Sequence, residues 1–362
     1  MRIGVPREVK AGERRVGVVP DGVRRLVQSG HDVIVERSAG EGAGIADDEF
    51  AGAGARLSGD RDAIFGCPLV VKVKELQREE WPLLHQGTTV FGFAQLGRDP
   101  ALLEAVLAAG IDYVAYETVT DGSGALPILS PMSRIAGRLA PVIGARLLMS
   151  DCGGSGVLLA GTDDVAPGAV VIVGAGNVGL EAARVAADLG CAVTVFVRSE
   201  RGAERVRKLR RRTIEVVNCV QRALAPAIAA ADLVIAGVLE PGKLSPKLIT
   251  RGMVAAMRRG SVLIDVGIDQ GGIAETSRMT KLSDPTYEEE GVLHYCVPNM
   301  PALVPRTASF ALGLRSLPYV ERLAGLGTDA AVAADAGLRE GLQIRRGRIV
   351  HAGLRTDAGA GT

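Results

Sequence analysis

Three glycines, Gly174, Gly176 and Gly179, follow the apolar run VVIV in the spacing G-x-G-x-x-G, with Asn177 and Val178 filling the last gap. A glycine turn between a strand and a helix lets the backbone approach a pyrophosphate. The helix N-terminus then offers N–H groups and a positive dipole end to it. The spacing alone is a weak signal. Its context is stronger, because an amphipathic helix pattern starts at the loop and a second strand, AVTVFV, follows at the right distance. A glycine turn in a nucleotide-free α/β domain is the lesser reading. Such a second strand usually ends on an acid that accepts hydrogen bonds from the adenosine ribose. Here that position is Val197, followed by Arg198, Ser199 and Arg201. Guanidinium forks and a hydroxyl suit a phosphate dianion. NADP(H) is therefore favoured as cofactor, and NAD(H) is the alternative if these arginines only face solvent.

These groups need a frame, and the chain reads as strands alternating with helices. In the first third, RIGVPRE, DVIVER, LVVKVKE, TTVFGFA and DYVAYE are strand candidates. PDGVRRLVQSG and DPALLEAVLAAG read as helices, the former capped by Pro20, Asp21 and Gly30. Read alone, KVK suggests an edge strand. A long helix starts near Pro131, with Pro141 as a candidate kink. A second series follows the glycine loop, with ADLVIAGV and SVLIDVGID as strands. FALGLRSLPYVERLAG is a further helix, GLQIRRGRIVHAGL reads as a strand pair around Arg346-Gly347, and TDAGAGT reads as a disordered end. This alternation predicts an α/β fold with mostly parallel sheets.

A chain of 362 residues suggests two domains, and a net charge of +1 argues against nucleic acid or an anionic membrane as partner. The run RVRKLRRR, Arg205 to Arg212, reads as a solvated helix face. No segment is long and apolar enough to span a bilayer, and no signal peptide is visible. Five scattered cysteines without a C-x-x-C fit a reduced cytoplasm and no structural metal site.

The segments MRIGVPREVKAGERRVGVVPDGV, VVKVKE, YETV, LSPMSRIAGRLA, GAGNVG, VLIDVGIDQGG and CVPNMPALVPRTAS occur in this order. Together they resemble the alanine dehydrogenase family, which includes the nicotinamide-binding part of proton-translocating transhydrogenases. The resemblance implies two Rossmann-like domains. The substrate domain is discontinuous, residues 1–128 and 303–362, and a dinucleotide-binding domain, residues 129–302, is inserted in it, with substrate in the cleft. It implies an NAD(P)H-dependent oxidoreductase acting on an amino acid and 2-oxo acid pair, and a homo-oligomer, either dimer or hexamer. Carried over by motif, Arg15 binds the substrate carboxylate, Lys74 polarises its carbonyl and Asp269 shuttles protons. Lys72 is a lesser candidate on the same face as Lys74, and Asp265 reads as structural. Ser133, Asn299 and Met300 would contact the cofactor, Asp269 would lie beside the nicotinamide, and Val238 and Leu239 would wall the adenosine.

One departure stands out. Where the family carries a histidine, FGFAQL has Gln95, which can donate and accept hydrogen bonds but cannot titrate near neutral pH. Gly92 and Ala94 are also smaller than the family's usual residues, which would widen the pocket if they face it. The sequence thus points to reductive amination of a substrate other than pyruvate. An imine (ketimine) reductase acting on a carboxylate-bearing imine is the alternative. A catalytically weak NADP-binding sensor is the reading from another class.

Overall fold

The structure is a computed structural model that describes residues 1–218, 221–238 and 244–354. The expected end TDAGAGT, Cys219 and Leu239 lie outside the described residues. The chain divides into two compact units. One is Met1–Met132 with Pro301–Thr362, and the other is Ser133–Met300. The resemblance put these divisions at 128/129 and 302/303. The first instead falls inside one continuous helix, Leu129–Leu147, which also contains Pro141.

The first unit holds β1 (Arg2–Val5), β2 (Asp32–Glu36), β3 (Arg56–Ser58), β4 (Leu69–Val71), β5 (Thr89–Gly92) and β6 (Asp112–Ala115). These six are parallel, in the order β3-β2-β1-β4-β5-β6. The second unit holds β7 (Ala169–Val173), β8 (Ala192–Val197), β9 (Ile214–Asn218), β10 (Leu233–Ala236), β11 (Val262–Asp265), β12 (Thr286–Glu289) and β13 (Val292–Tyr295). Here the order is β12-β13-β11-β10-β7-β8-β9, parallel except for the β12–β13 hairpin. The strand pair expected around Arg346-Gly347 is β14 (Leu342–Arg345) with β15 (Arg348–Ile349), added antiparallel beyond β6. Both turn residues have positive φ, 47° and 69°, as a two-residue hairpin turn requires.

Both sheets are therefore doubly wound. In each, the strand order reverses once, between β1 and β4 and between β7 and β10. In open α/β sheets, ligands bind outside the carboxyl ends of the strands at such a reversal. Lys72 and Lys74 directly follow β4, and the glycine loop directly follows β7. The edge-strand reading of KVK is corrected here: β4 pairs with β1 on one side and β5 on the other. Three consecutive valine or leucine residues on β4, all buried, are what a strand covered on both faces needs.

Candidate active site

At the carboxyl ends of β1 and β4, charged side chains are buried in unusual number. Lys72, wholly buried, is held by Glu8 and Glu80, each 3.1 Å from its Nζ. Burial by itself would lower the Lys72 pKa, but the two carboxylates outweigh it and raise it. Glu80 also ion-pairs Arg61 at 3.0 Å. Burial raises the Glu8 pKa, against the pull of Lys72. Glu8 further accepts the backbone N–H of Val73 at 2.6 Å and of Lys74 at 3.4 Å. So Lys72 anchors the strand end, and the expectation that it shares the substrate face with Lys74 is corrected. Its partners are the buried carboxylates, because the backbone bends just past β4 and breaks the two-residue periodicity of a strand.

Lys74 is 6% exposed, lies 3.6 Å from Glu75 Oε2, and has its Nζ 5.9 Å from the Phe93 ring centroid. Burial opposes ionisation of Glu75, but Lys74 and Lys10 lower its pKa on balance. Arg15 is only 1% exposed, whereas its neighbour Arg14 is exposed, so Arg15 is no surface charge. Glu13 takes the Nε–Nη2 edge of its guanidinium at 2.8 and 2.6 Å, and Nη1 lies 3.1 Å from Met132 Sδ. This fixes the plane of the fork. The Ser309 hydroxyl accepts the N–H of Val16 at 3.1 Å and anchors the segment that carries Arg15. Ser309 lies in the PRTAS run, but the run's type and spacing carry no sign of this contact.

Gln95 adopts a left-handed backbone, φ 50° and ψ 27°. The Glu117 carboxylate accepts the N–H of Ala94 at 3.0 Å and of Gln95 at 2.9 Å. Neither Gly92 nor Ala94 opens space for substrate. Ala94 is fully buried among Val90, Tyr113 and Ala115 in the core, and a Cβ on Gly92 would sit 2.9 Å from the Lys72 carbonyl oxygen. The expected widening of the pocket is corrected on this ground: both positions face inward. Gly92→Thr should therefore destabilise the fold by about 1–3 kcal/mol through overpacking, without narrowing substrate range. A thermal melt together with a substrate profile checks this, and a narrowed range in a fully stable variant would refute it.

In the second unit, Gly174 has φ 108°, and a Cβ there would sit 2.8 Å from the Gly237 carbonyl oxygen and 3.1 Å from Val238. A Cβ on Gly179 would run into the Gly174 carbonyl. Gly176 differs. Its Cβ would meet nothing nearer than 3.9 Å, and it caps the helix Asn177–Asp188 without any side-chain hydrogen bond. Open space beside the N–H groups of an uncapped helix start is what a pyrophosphate needs, so the residues fit a dinucleotide. Val197, 2% exposed, is the last residue of β8 and packs into the core. Arg198 and Arg201 are exposed beside it. The Ser199 hydroxyl caps the next helix, Glu200–Arg207, by accepting the Gly202 N–H at 3.3 Å. The basic run is largely exposed and ion-paired, Arg207 to Glu200 and Arg211 to Asp188. Arg205 additionally donates to Asn177 Oδ1 at 3.4 Å, which brings a cation to the start of the glycine helix.

Asp269 is exposed on the short 3-10 turn Val266–Gln270. Asp265, 1% exposed, fastens that turn: it accepts from Gly267, Ile273 and Ala274 N–H at 3.0, 2.6 and 3.1 Å and from the Ser277 hydroxyl at 2.6 Å. Gly271 and Gly272 follow with φ of 89° and 78°. Asn299 also has positive φ, 62°, and Ser133 is partly buried in the long helix. Met300 is 2% exposed among core residues, so its side chain serves packing. Arg15, Lys74 and Gln95 thus belong to the first unit, and Asp269 and the dinucleotide residues to the second.

Residues 4–136 match the model of the alanine dehydrogenase/PNT N-terminal domain, and residues 140–352 match that of the C-terminal domain. The chain belongs to the alanine dehydrogenase/PNT family. An alanine dehydrogenase of Halomonas elongata is 45% identical over 352 residues, covering 97% of this chain and 95% of that protein. A solved L-alanine dehydrogenase superposes with a TM-score of 0.97 at 42% identity, covering 99% of both chains. A transhydrogenase of Sinorhizobium meliloti, at 24% identity and a TM-score of 0.85 over 97% of this chain and 100% of that one, shares the fold. This family member is an oxidoreductase of the amino-acid dehydrogenase type, alanine dehydrogenase-like, and uses a nicotinamide dinucleotide. Among its described residues, no helix is long and apolar enough to cross a membrane.

Proposed function

We propose that the protein interconverts pyruvate and alanine, using NADP(H) in preference to NAD(H). The observation that carries this reading is the rigid, buried setting of Arg15 and Lys74 at the strand-order reversal of the first sheet. A guanidinium held in one plane by Glu13 suits a carboxylate, and a nearly buried ammonium stabilises charge that develops on a carbonyl oxygen. Asp269 exchanges protons while ammonia adds to the carbonyl carbon and water leaves, and Gln95 hydrogen-bonds the substrate oxygen. Ammonia, a hydride and a proton convert pyruvate to alanine and water. The nicotinamide supplies the hydride.

Pyruvate replaces the bulkier substrate expected from sequence, because Gly92 and Ala94 face inward and the relatives are named alanine dehydrogenases. Among the described residues, no contact favours the imine reductase or the sensor. The preference for NADP(H) rests on Val197, which carries no charge to repel a 2′-phosphate, and on the exposed Arg198 and Arg201. A cytoplasmic homo-oligomer, dimer or hexamer, completes the proposal.

The test measures kcat/KM for pyruvate with ammonia against bulkier 2-oxo acids, 2-oxo acids with primary amines, and cyclic imines, each with NADPH and NADH. Pyruvate with NADPH should lead. Arg198→Ala should weaken NADPH selectively, by about tenfold for a lost charge-assisted contact of roughly 1.5 kcal/mol. Equal losses for both cofactors, or a wild-type preference for NADH, would refute the cofactor reading. A better substrate elsewhere in the panel would refute pyruvate.

A further inference from the structure

We infer that Glu117 is the positioning residue for Gln95, and that its carboxylate sets the left-handed turn from which the Gln95 side chain projects. The inference rests on the proposed role of Gln95 in the substrate site.

The segment Phe93–Gln95 follows β5 and is tied down by a series of hydrogen bonds, among them that of the Arg98 N–H to the Gln95 carbonyl at 3.0 Å. Phe93 N–H donates to the Val73 carbonyl at 3.0 Å, one residue before Lys74. The Tyr113 hydroxyl donates to the Phe93 carbonyl at 3.0 Å. Glu117 then takes the next two N–H groups. Oε1 accepts from Ala94 at 3.0 Å and Gln95 at 2.9 Å, and Oε2 lies 3.2 Å from Ala94 N. Gln95 needs such a clamp. A non-glycine residue at φ 50° is strained, by about 1–3 kcal/mol, unless its surroundings hold it there. A carboxylate accepting adjacent N–H groups supplies that restraint, and these bonds are of the stronger, charge-assisted kind.

The same carboxylate is electrostatically linked to the proposed substrate cation. Burial raises the Glu117 pKa, while the N–H groups of Gln95 and Ala94 and the charge of Lys74 oppose the rise. Tyr113 is packed against this turn and feels Glu117 as well as Glu75, Glu80 and Glu8. Glu117 thus holds the backbone of both Ala94 and Gln95 through one side chain. In the sequence it is merely the glutamate of YETV.

The experiment is a double-mutant cycle on Glu117→Gln and Gln95→Ala, read as kcat and KM with NADPH, ammonia and the best 2-oxo acid of the panel above. Melting curves and NADPH dissociation constants accompany it. A neutral amide keeps one acceptor but presents N–H groups to N–H groups, so the turn loosens. Glu117→Gln alone should lower kcat/KM for the 2-oxo acid by about 10- to 100-fold, the scale of a misplaced substrate contact, with NADPH affinity unchanged within about twofold. Glu117→Asp should show a smaller loss. With Gln95→Ala already present, Glu117→Gln should cost little more, because the two act as one unit.

Full additivity of the two losses would overturn the inference, as would a Glu117→Gln loss that tracks a fall in melting temperature and in NADPH binding. A Gln95→Ala variant with wild-type kcat/KM would instead remove Gln95 from the substrate site, and the inference with it. A failure of pyruvate as substrate changes only the panel member used.

Discussion

Asp269→Asn should lower turnover by about 10²–10⁴-fold, the usual contribution of a positioned proton-transfer group. NADPH affinity should barely change. The exchange is nearly isosteric, and the side chain is exposed on its turn, so neither packing nor backbone needs to adjust. What fastens the turn is Asp265, four residues earlier, through three backbone N–H groups and the Ser277 hydroxyl. Asp265→Asn is therefore the informative partner variant. It sets an amide against N–H donors inside the fold, and it should cost stability and cofactor binding together. Single-turnover rates, equilibrium binding and thermal melts on both variants separate the roles. An Asp269→Asn enzyme with near wild-type turnover on its best substrate would end the proton-shuttle assignment.

Two lysines two residues apart should behave in opposite ways. Lys72→Ala removes the cation placed between Glu8 and Glu80, both buried. Glu80 keeps Arg61, but Glu8 is left buried without its cation, and stranding a buried carboxylate in this way costs about 3–5 kcal/mol, so the variant should melt far below wild type or fail to accumulate folded. Lys74→Ala should stay folded, because Glu75 keeps Lys10 as partner, yet it should lose most activity. Its loss should appear in both KM for the 2-oxo acid and kcat, since the ammonium contacts ground state and transition state. Denaturant melts and steady-state kinetics on the pair decide the matter. A stable, inactive Lys72→Ala alongside an active Lys74→Ala would reverse the two assignments.

Much of this was legible in the chain itself. The glycine spacing between VVIV and an amphipathic run defines a dinucleotide loop, because only glycine tolerates φ 108° at Gly174 and the close approach at Gly179. The alternation of strands and helices determines parallel sheets, since parallel strands need helical crossovers. Val197-Arg198 at the end of β8 is likewise a local fact, readable without coordinates. Strand order was not legible. It depends on which hydrophobic faces find each other over long separations, and only the folded sheets show a reversal between β1 and β4 and another between β7 and β10.

The roles of the charged residues were still less legible. A lysine is a lysine in KVKE; what distinguishes Lys72 from Lys74 is a bend past β4 and two carboxylates, Glu80 from the following turn and Glu8 from the distant end of β1. Gly92 and Ala94 look like vacancies in a pocket until the sheet shows them facing the Lys72 backbone and the core. Glu117 has no motif of its own, because its work is done on the backbone N–H groups of residues more than twenty positions away. Local patterns record what a residue can do. Burial and partners decide what it does, because a charge withdrawn from water must be matched by whatever the fold brings beside it.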